Sequence, residues 1–298
     1  MTKDQPNKTY EVALNQCRSE IDALDNQLLS ILEERMKIVA KVRKIKHENN
    51  ERFFIKSARE ADMIKNLIAK ADPILPKSLI VNMWRKIITS SNMLEQPLCI
   101  AIHNPNKLTD YSYLTREYYS DFVPIIIHDS VNNVVLEIEK NNAQISIFGL
   151  PCADVENNID DIGEDWWINL ANNKAGLKVF AKIPFIQHSD QDKQSGKALE
   201  LVAMAIKKPE KSQEDRTLFC IEIENSFSRS QLLTAMNESK IAGRILKSTK
   251  LKQIDDIVFY LVEAQGFFDE NSEEIKKFNK SKIRPFAKIL GVYPVGVA

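Results

Sequence analysis

Glycine is scarce in this sequence. Eight occur among 298 residues, and none falls in GxGxxG or P-loop spacing. The phosphate-cradling loops of nucleotide-binding folds are therefore not expected. Cysteine is equally thin: Cys17, Cys99, Cys152 and Cys220 are scattered, with no CxxC pair and no histidine at ligand spacing. That argues against a disulfide scaffold or a structural metal and reads as reduced core thiols. No apolar run approaches the roughly 20 residues that span a bilayer. The opening Met-Thr-Lys-Asp-Gln-Pro-Asn-Lys is polar and lacks a signal-peptide apolar region. A cytoplasmic protein with no membrane contact is the expectation. Neither sign of charge is in excess, since 41 basic side chains meet 41 acidic ones. The balance gives no reason to expect a nucleic-acid partner. What the sequence does have is 44% apolar residues, enough for packed cores in two or three domains.

Residues 10–47 contain no Gly or Pro, and Leu14, Cys17, Ile21, Leu24, Leu28, Leu32, Val39 and Val42 recur at steps of mostly three and four. This predicts a long amphipathic helix, too long to bury its stripe within one compact layer, and so a bundle or an intermolecular partner. Ser57-Ala58-Arg59-Glu60 reads as a capping box opening a helix to about Ala71, where Asp72-Pro73 stops it. A third helix is expected from near Pro76 to before Pro97, carrying Leu79, Ile80, Met83, Trp84, Ile87 and Ile88.

The pattern then changes. Apolar runs at 98–102, 123–127 and 144–148 alternate with helical patterns at 108–119 and 131–141, and further strands are expected at 177–183 and 199–206. That is the signature of βα units and a helix-covered sheet. Residues 207–215 are polar and read as a linker. The last segment has strand 217–224, helix 229–238, strands 241–247 and 256–263, helix 270–279 and strand 283–293. This is a βαββαβ, ferredoxin-like order. The fold class is thus multidomain: an all-α part at 8–96, an α/β part at 97–208 and a βαββαβ part at 214–298.

The first helix carries an oddity. Arg35 and Lys46 are eleven residues apart, about three turns, and share a face with Leu28, Val39 and Val42. Cations on an apolar stripe are costly unless an anion meets them. A single one is more often a rim residue whose stem is buried and whose head is wet. The third helix repeats the oddity, with Ser91 and Glu95 spaced i,i+4 on the stripe of Trp84, Ile87 and Ile88. Arg59 and Glu60 sit in the first turn of the second helix, where a surface role and a capping role suffice. Together these cations, carboxyls and a hydroxyl contain no nucleophile–base pair and no metal cluster. Such a set suits binding a small dianion and stabilising charge separation without covalent chemistry.

Here a family resemblance emerges. Cys17-Arg18-Ser19-Glu20-Ile21-Asp22-Ala23-Leu24-Asp25-Asn26-Gln27-Leu28-Leu29, with Glu34-Arg35, resembles the LRxxIDxIDxxLLxLLxxR signature of the all-helical (AroQ-type) chorismate mutases. Lys46, Arg59-Glu60 and Ile87-Ile88-Thr89-Ser90-Ser91 fall where that family has its next motifs. The resemblance implies substrate binding by Arg18, Arg35, Lys46, Arg59, Glu60, Ser91 and Glu95, with Lys46, Glu95 and Arg35 catalytic and no cofactor. The cations contact substrate carboxylates, Lys46 also the ether oxygen, Glu60 the substrate hydroxyl, and Glu95 is the second donor to the ether. Arg18 and Arg35 are seventeen residues apart, about 25 Å along a straight helix. If both serve one pocket, Arg18 comes from a second chain, as the family's intertwined homodimer implies. Glu95 stands where many relatives have Gln, and only a protonated Glu can donate. Lys56 precedes Arg59 where relatives often carry an acidic residue.

Residues 98–206 are similar, more weakly, to the dehydratase domain of bifunctional chorismate mutase–prephenate dehydratases, and 217–293 resemble their terminal ACT domain, closing on Leu290-Gly291-Val292-Tyr293-Pro294. The functional motifs differ. His103-Asn104-Pro105-Asn106 replaces a GPxGTYS-like opening, and Lys197-Ala198-Leu199-Glu200-Leu201 replaces the Thr-Arg-Phe triplet. Phe227-Ser228-Arg229-Ser230 and Gly243-Arg244-Ile245-Leu246-Lys247 replace the phenylalanine-binding motifs. Neither dehydratase activity nor ordinary phenylalanine feedback is expected. Trp166-Trp167 reads as aromatic core or hinge packing before it reads as a ligand cleft; His103, His128 and His188 are isolated. The leading expectation is a cytosolic chorismate mutase feeding phenylalanine and tyrosine synthesis. Behind it stand a bifunctional enzyme with divergent dehydratase residues and a non-enzymatic dimeric ligand sensor.

Overall fold

The computed structural model describes residues 8–51, 53–107, 109–151, 165–171, 174–187, 199–251 and 256–297. Cys152, His188 and the Lys197-Ala198 pair lie outside them. The chain divides into two compact units, Met1–Phe54 with Met93–Gln96, and Ile55–Asn92 with Pro97–Ala298.

The first unit is dominated by α1 (Lys8–Glu48). It extends to the limits set by the missing Gly and Pro, and it stops where Asn50 turns into left-handed backbone at φ 55°, a conformation that Asn tolerates. Among its described side chains only Val39 is buried. On the predicted stripe Ile21 and Leu24 are more than half exposed, and Leu28 is exposed as well. An apolar stripe is thus present as the periodicity predicts, but nothing within the unit covers most of it. Cys17 is likewise exposed on α1, which corrects its reading as a core thiol.

The second unit contains α2 (Ser57–Lys70) and α3 (Lys77–Glu95) up to Asn92. The expected capping box does not form. The N-cap is Lys56, which offers no side-chain bond; Ser57 is already inside the helix, and Glu60 N–H donates to the Lys56 carbonyl at 2.9 Å. The Glu60 carboxylate is drawn instead to partners on α3.

The rest of the unit is one nine-stranded mixed sheet. Its elements are β1 (Ile100–His103), α4 (Thr109–Tyr119), β2 (Ile125–His128), α5 (Val131–Glu139), β3 (Ile145–Leu150), α6 (Trp166–Ala171), β4 (Leu177–Ile183) and β5 (Glu200–Ile206). There follow β6 (Asp215–Glu224), α7 (Arg229–Glu238), β7 (Gly243–Lys250), β8 (Ile257–Gln265), α8 (Glu273–Asn279) and β9 (Phe286–Pro294). The strand order is β2-β1-β3-β5-β4-β9-β6-β8-β7. β1 pairs in parallel with β2 and β3, and the βαββαβ segment forms an antiparallel run.

Side chains alternate across each strand. On one face Leu218, Cys220, Phe259, Leu261, Val202 and Met204 meet α5 and α6, with Trp166 and Trp167 both about 1% exposed. On the other, Phe219, Ile221, Val262 and Ile289 meet Leu232 and Met236 of α7 and Ile275 and Phe278 of α8. Trp166 stacks on Phe148 and its indole N–H donates to the Gly149 carbonyl at 2.7 Å, so this tryptophan is core, as its sequence context suggests. Burial pushes the Cys220 thiol up to about 12, which leaves it protonated and inert at neutral pH.

The two α/β parts meet where β4 and β9 pair in parallel, Val179 against Gly291. A Cβ on Gly291 would stand 2.3 Å from the backbone N and O of Val179, and its φ is +154°. Only glycine admits that approach. Gly291→Ala is expected to destabilise the chain by about 3 kcal/mol or more, as overpacking against fixed backbone does. The check is the urea midpoint, which falls with an unchanged slope. The polar segment after β5 is not a free tether either. The Lys207 ammonium donates to the Ile55 carbonyl at 3.0 Å, and Glu210 pairs with Lys207 and with Lys56 at 3.4 and 3.3 Å.

Candidate functional site

In the first unit, the last turn of α1 brings Lys46 to the end of α3. Its ammonium donates to Glu95 Oε2 at 2.5 Å and to the Phe54 carbonyl at 3.0 Å, and lies 5.1 Å from the centroid of the Phe54 ring. Both side chains are largely withdrawn from water, at 15% and 8% exposure. Such a pair, 49 residues apart in sequence, holds only because tertiary packing orders both partners, which an exposed pair seldom repays. Phe54 is fixed in turn. Its N–H donates to Gln96 Oε1 at 3.3 Å, and the His47 ring packs edge-on against it. Arg35, three turns earlier on α1, is half-buried. Arg18 is exposed, its guanidinium donating to Asn15 Oδ1 at 3.2 Å.

In the second unit, Glu60 accepts from Arg85 Nη1 at one oxygen and from Asn92 Nδ2 at the other, both at 3.2 Å. Arg85 is 4% exposed, clamped between the rings of Tyr118 and Phe185 at 4.3 and 4.5 Å. The rings suit a planar guanidinium, and its carboxylate partner offsets the buried charge. Ser91 is buried, its hydroxyl donating to the Ile87 carbonyl at 2.8 Å. Arg59 is exposed and lines an open groove of about 750 Å³ along α2 with Asp62, Asn66 and Lys70. Arg85 and Asn92 were not singled out from sequence. The available signal was their spacing of seven, two helical turns, which sets a cation and an amide above one another on one face of the helix.

Of the sequence-named residues, the structure therefore pairs Lys46 with Glu95 and fixes Glu60 through two unforeseen partners. It leaves Arg18 and Arg59 in solvent. The chemistry of a half-buried ammonium beside a carboxyl is that of a hydrogen-bonding clamp for an oxygen that gains negative charge.

The family model for chorismate mutase type II matches residues 17–96. Residues 17–96 are thus similar to chorismate mutase type II domains. The chain is also similar to the bifunctional chorismate mutase/prephenate dehydratase of Aquifex aeolicus (strain VF5), 24% identical over 153 residues, which is 50% of this chain and 40% of that protein. The chain thus matches less than half the length of that relative. Among solved structures, similarity is found to GqqA, described as a novel type of quorum quenching acylase, at 13% identity and TM-score 0.49 over 67% of this chain and 96% of that one. The prephenate dehydratase of Streptococcus mutans gives 15% identity and TM-score 0.44 over 67% of this chain and all of the other. The chorismate mutase family is one of isomerases, and chorismate and prephenate are intermediates of aromatic amino acid biosynthesis. Among the described residues, no helix is long and apolar enough to cross a membrane.

Proposed function

We propose that the chain converts chorismate to prephenate, a pericyclic rearrangement that needs no base, metal or cofactor. The observation that carries this reading is the withdrawn Lys46–Glu95 pair inside the matched domain. The reaction asks for two things: the reactive diaxial conformer must be held, and charge on the breaking ether oxygen must be met. Arg35, Arg59 and an Arg18 from a second chain serve the carboxylates, where guanidinium forks fit. Lys46 serves the ether oxygen and a carboxylate. Ser91 contacts a carboxylate. Glu60 accepts the substrate hydroxyl, since a carboxylate already holding two donors retains lone-pair capacity.

The second copy is a homodimer partner. Its support is the apolar stripe of α1, where Ile21, Leu24 and Leu28 stand in water, an arrangement that a second helical chain relieves. The part after residue 97 is read as a dehydratase-like and an ACT-like region without dehydratase activity, on the missing motifs. The test is one incubation with chorismate followed by one with prephenate. Prephenate formation supports the mutase. Phenylpyruvate above the acid-catalysed background would instead favour a bifunctional enzyme of the Aquifex kind. No chorismate turnover at all would leave a dimeric ligand sensor.

Glu95 supplies a further check. As an ion it accepts from Lys46 and offers nothing to an ether oxygen; protonated, it donates. Glu95→Gln, an uncharged donor, is therefore expected to retain chorismate turnover, whereas Glu95→Leu, which neither accepts from Lys46 nor donates to the ether oxygen, lowers kcat/KM by about 10²-fold. An unchanged kcat/KM in Glu95→Leu removes Glu95 from the mechanism.

A further inference from the structure

A cavity of about 460 Å³ lies in the second unit, at the end of the sheet where β6 and β7 begin and β8 and β9 finish. Its wall includes Lys182, Arg216, Asn237, Arg244, Glu263 and Gln265. The strand register explains how these meet. Arg216 stands between Tyr293 and Gln265, and Leu218 beside Glu263, which faces Arg244. The row continues the apolar face that holds Trp166, so charge is placed where the core runs out.

Most of that charge is already matched. Glu263, 6% exposed, accepts from Arg244 Nε and Nη2, both at 2.9 Å, and from the Tyr293 hydroxyl, with the Lys182 ammonium at 3.9 Å. Lys182 in turn pairs with Glu200 at 3.0 Å. Burial pushes the Glu263 carboxyl up, but Lys182 and Arg244 outweigh it and hold it below the usual carboxylate range. Asp215 points to the other face and is held by the N–H and hydroxyl of Ser212. Three cations against two carboxylates leave one positive charge over. The geometry assigns it to Arg216, whose guanidinium lines the cavity with no partner among the described residues.

We propose that this cavity is a binding site for a small α-hydroxy or α-amino carboxylate, its carboxylate held by Arg216 and its second polar group by the amides of Gln187, Asn237 and Gln265. A single uncommitted guanidinium suits one carboxylate fork rather than a phosphate dianion. Amides give and accept hydrogen bonds, which matches either a hydroxyl or an ammonium. Among the described residues the only aromatic side chain on the wall is Tyr293, whose hydroxyl is committed to Glu263, so an aromatic ligand finds no free ring to stack on there. Phe227–Ser230 follow the opposite end of β6, away from the cavity, whereas Gly243 and Arg244, which open the other replaced motif, belong to its wall. Because its walls come from β4 as well as from β6 to β9, occupancy would tie the two halves of the sheet together.

The experiment is calorimetric titration of the full chain with L-lactate, L-malate, L-serine and L-glutamine, with acetate and sulfate as anions lacking the second group. At least one of the four is expected to bind once per chain with Kd below about 1 mM, at least tenfold more tightly than acetate or sulfate. Arg216→Gln weakens that binding at least tenfold, and Asn237→Leu weakens it independently if Arg216 variants fail to fold. The signal persists in Lys46→Met, which separates this cavity from the chorismate site. No binding by any of the four, equal binding by acetate or sulfate, or binding indifferent to both substitutions overturns the proposal.

Discussion

Lys46→Met is expected to lower kcat/KM for chorismate by about 10³-fold, the scale on which removing one preorganised donor to a developing oxyanion acts. No other described group sits beside Glu95 in the first unit with a positive charge to offer the ether oxygen; the ammonium alone is within hydrogen-bonding distance of it. The substitution also strands a buried carboxylate, which costs about 1–3 kcal/mol of stability. Lost activity could then be confused with lost fold. The double variant Lys46→Met/Glu95→Gln separates the two. It removes the stranded charge and should recover most of the thermal midpoint while remaining as inactive as the single variant. Circular dichroism, dominated by the helices, should be unchanged in both. A double variant that regained activity would show that Lys46 serves only to neutralise Glu95.

What could be read from the chain without coordinates depended on whether the signal was local. α1 was legible because nothing between Lys8 and Glu48 breaks a helix and its apolar residues keep helical spacing. The β6-to-β9 segment was legible because each strand is a short apolar run bounded by polar turns, and α7 matches its expected limits, Arg229–Glu238. Failures came where a contact depends on the third dimension. Ser57 and Glu60 have capping-box spacing, but Arg85 and Asn92 compete for the carboxylate, and a charged hydrogen bond to a buried guanidinium outweighs a cap. The merging of two sheets at Val179 and Gly291 has no local signature beyond one glycine. The polar character of 207–215 suggested a tether, yet its lysine and glutamate clamp the start of α2. For the candidate site, the sequence named Lys46 and Glu95 but not their mutual bond, since residues 49 apart carry no periodicity to link them.

The origin of Arg18 gives the second large effect. α1 is continuous from Lys8 to Glu48, so Arg18 and Arg35 are held about 25 Å apart along one axis, beyond what two arginine side chains can close around one small ligand. If one site needs both, the chain cannot complete it alone, and each site draws Lys46 from one copy and Arg18 from the other. Arg18→Ala and Lys46→Ala should each be nearly inactive as homodimers. Co-expressed with two different tags and purified through both, they form heterodimers in which one site lacks both residues and the other has both intact. Such heterodimers should regain about half of the wild-type activity per dimer, as two-fold symmetry with one competent site requires. An isolated heterodimer as inactive as its parents would mean that Arg18 acts within its own chain or not at all. If no doubly tagged species can be recovered, the exposed stripe of α1 has some occupant other than a second copy.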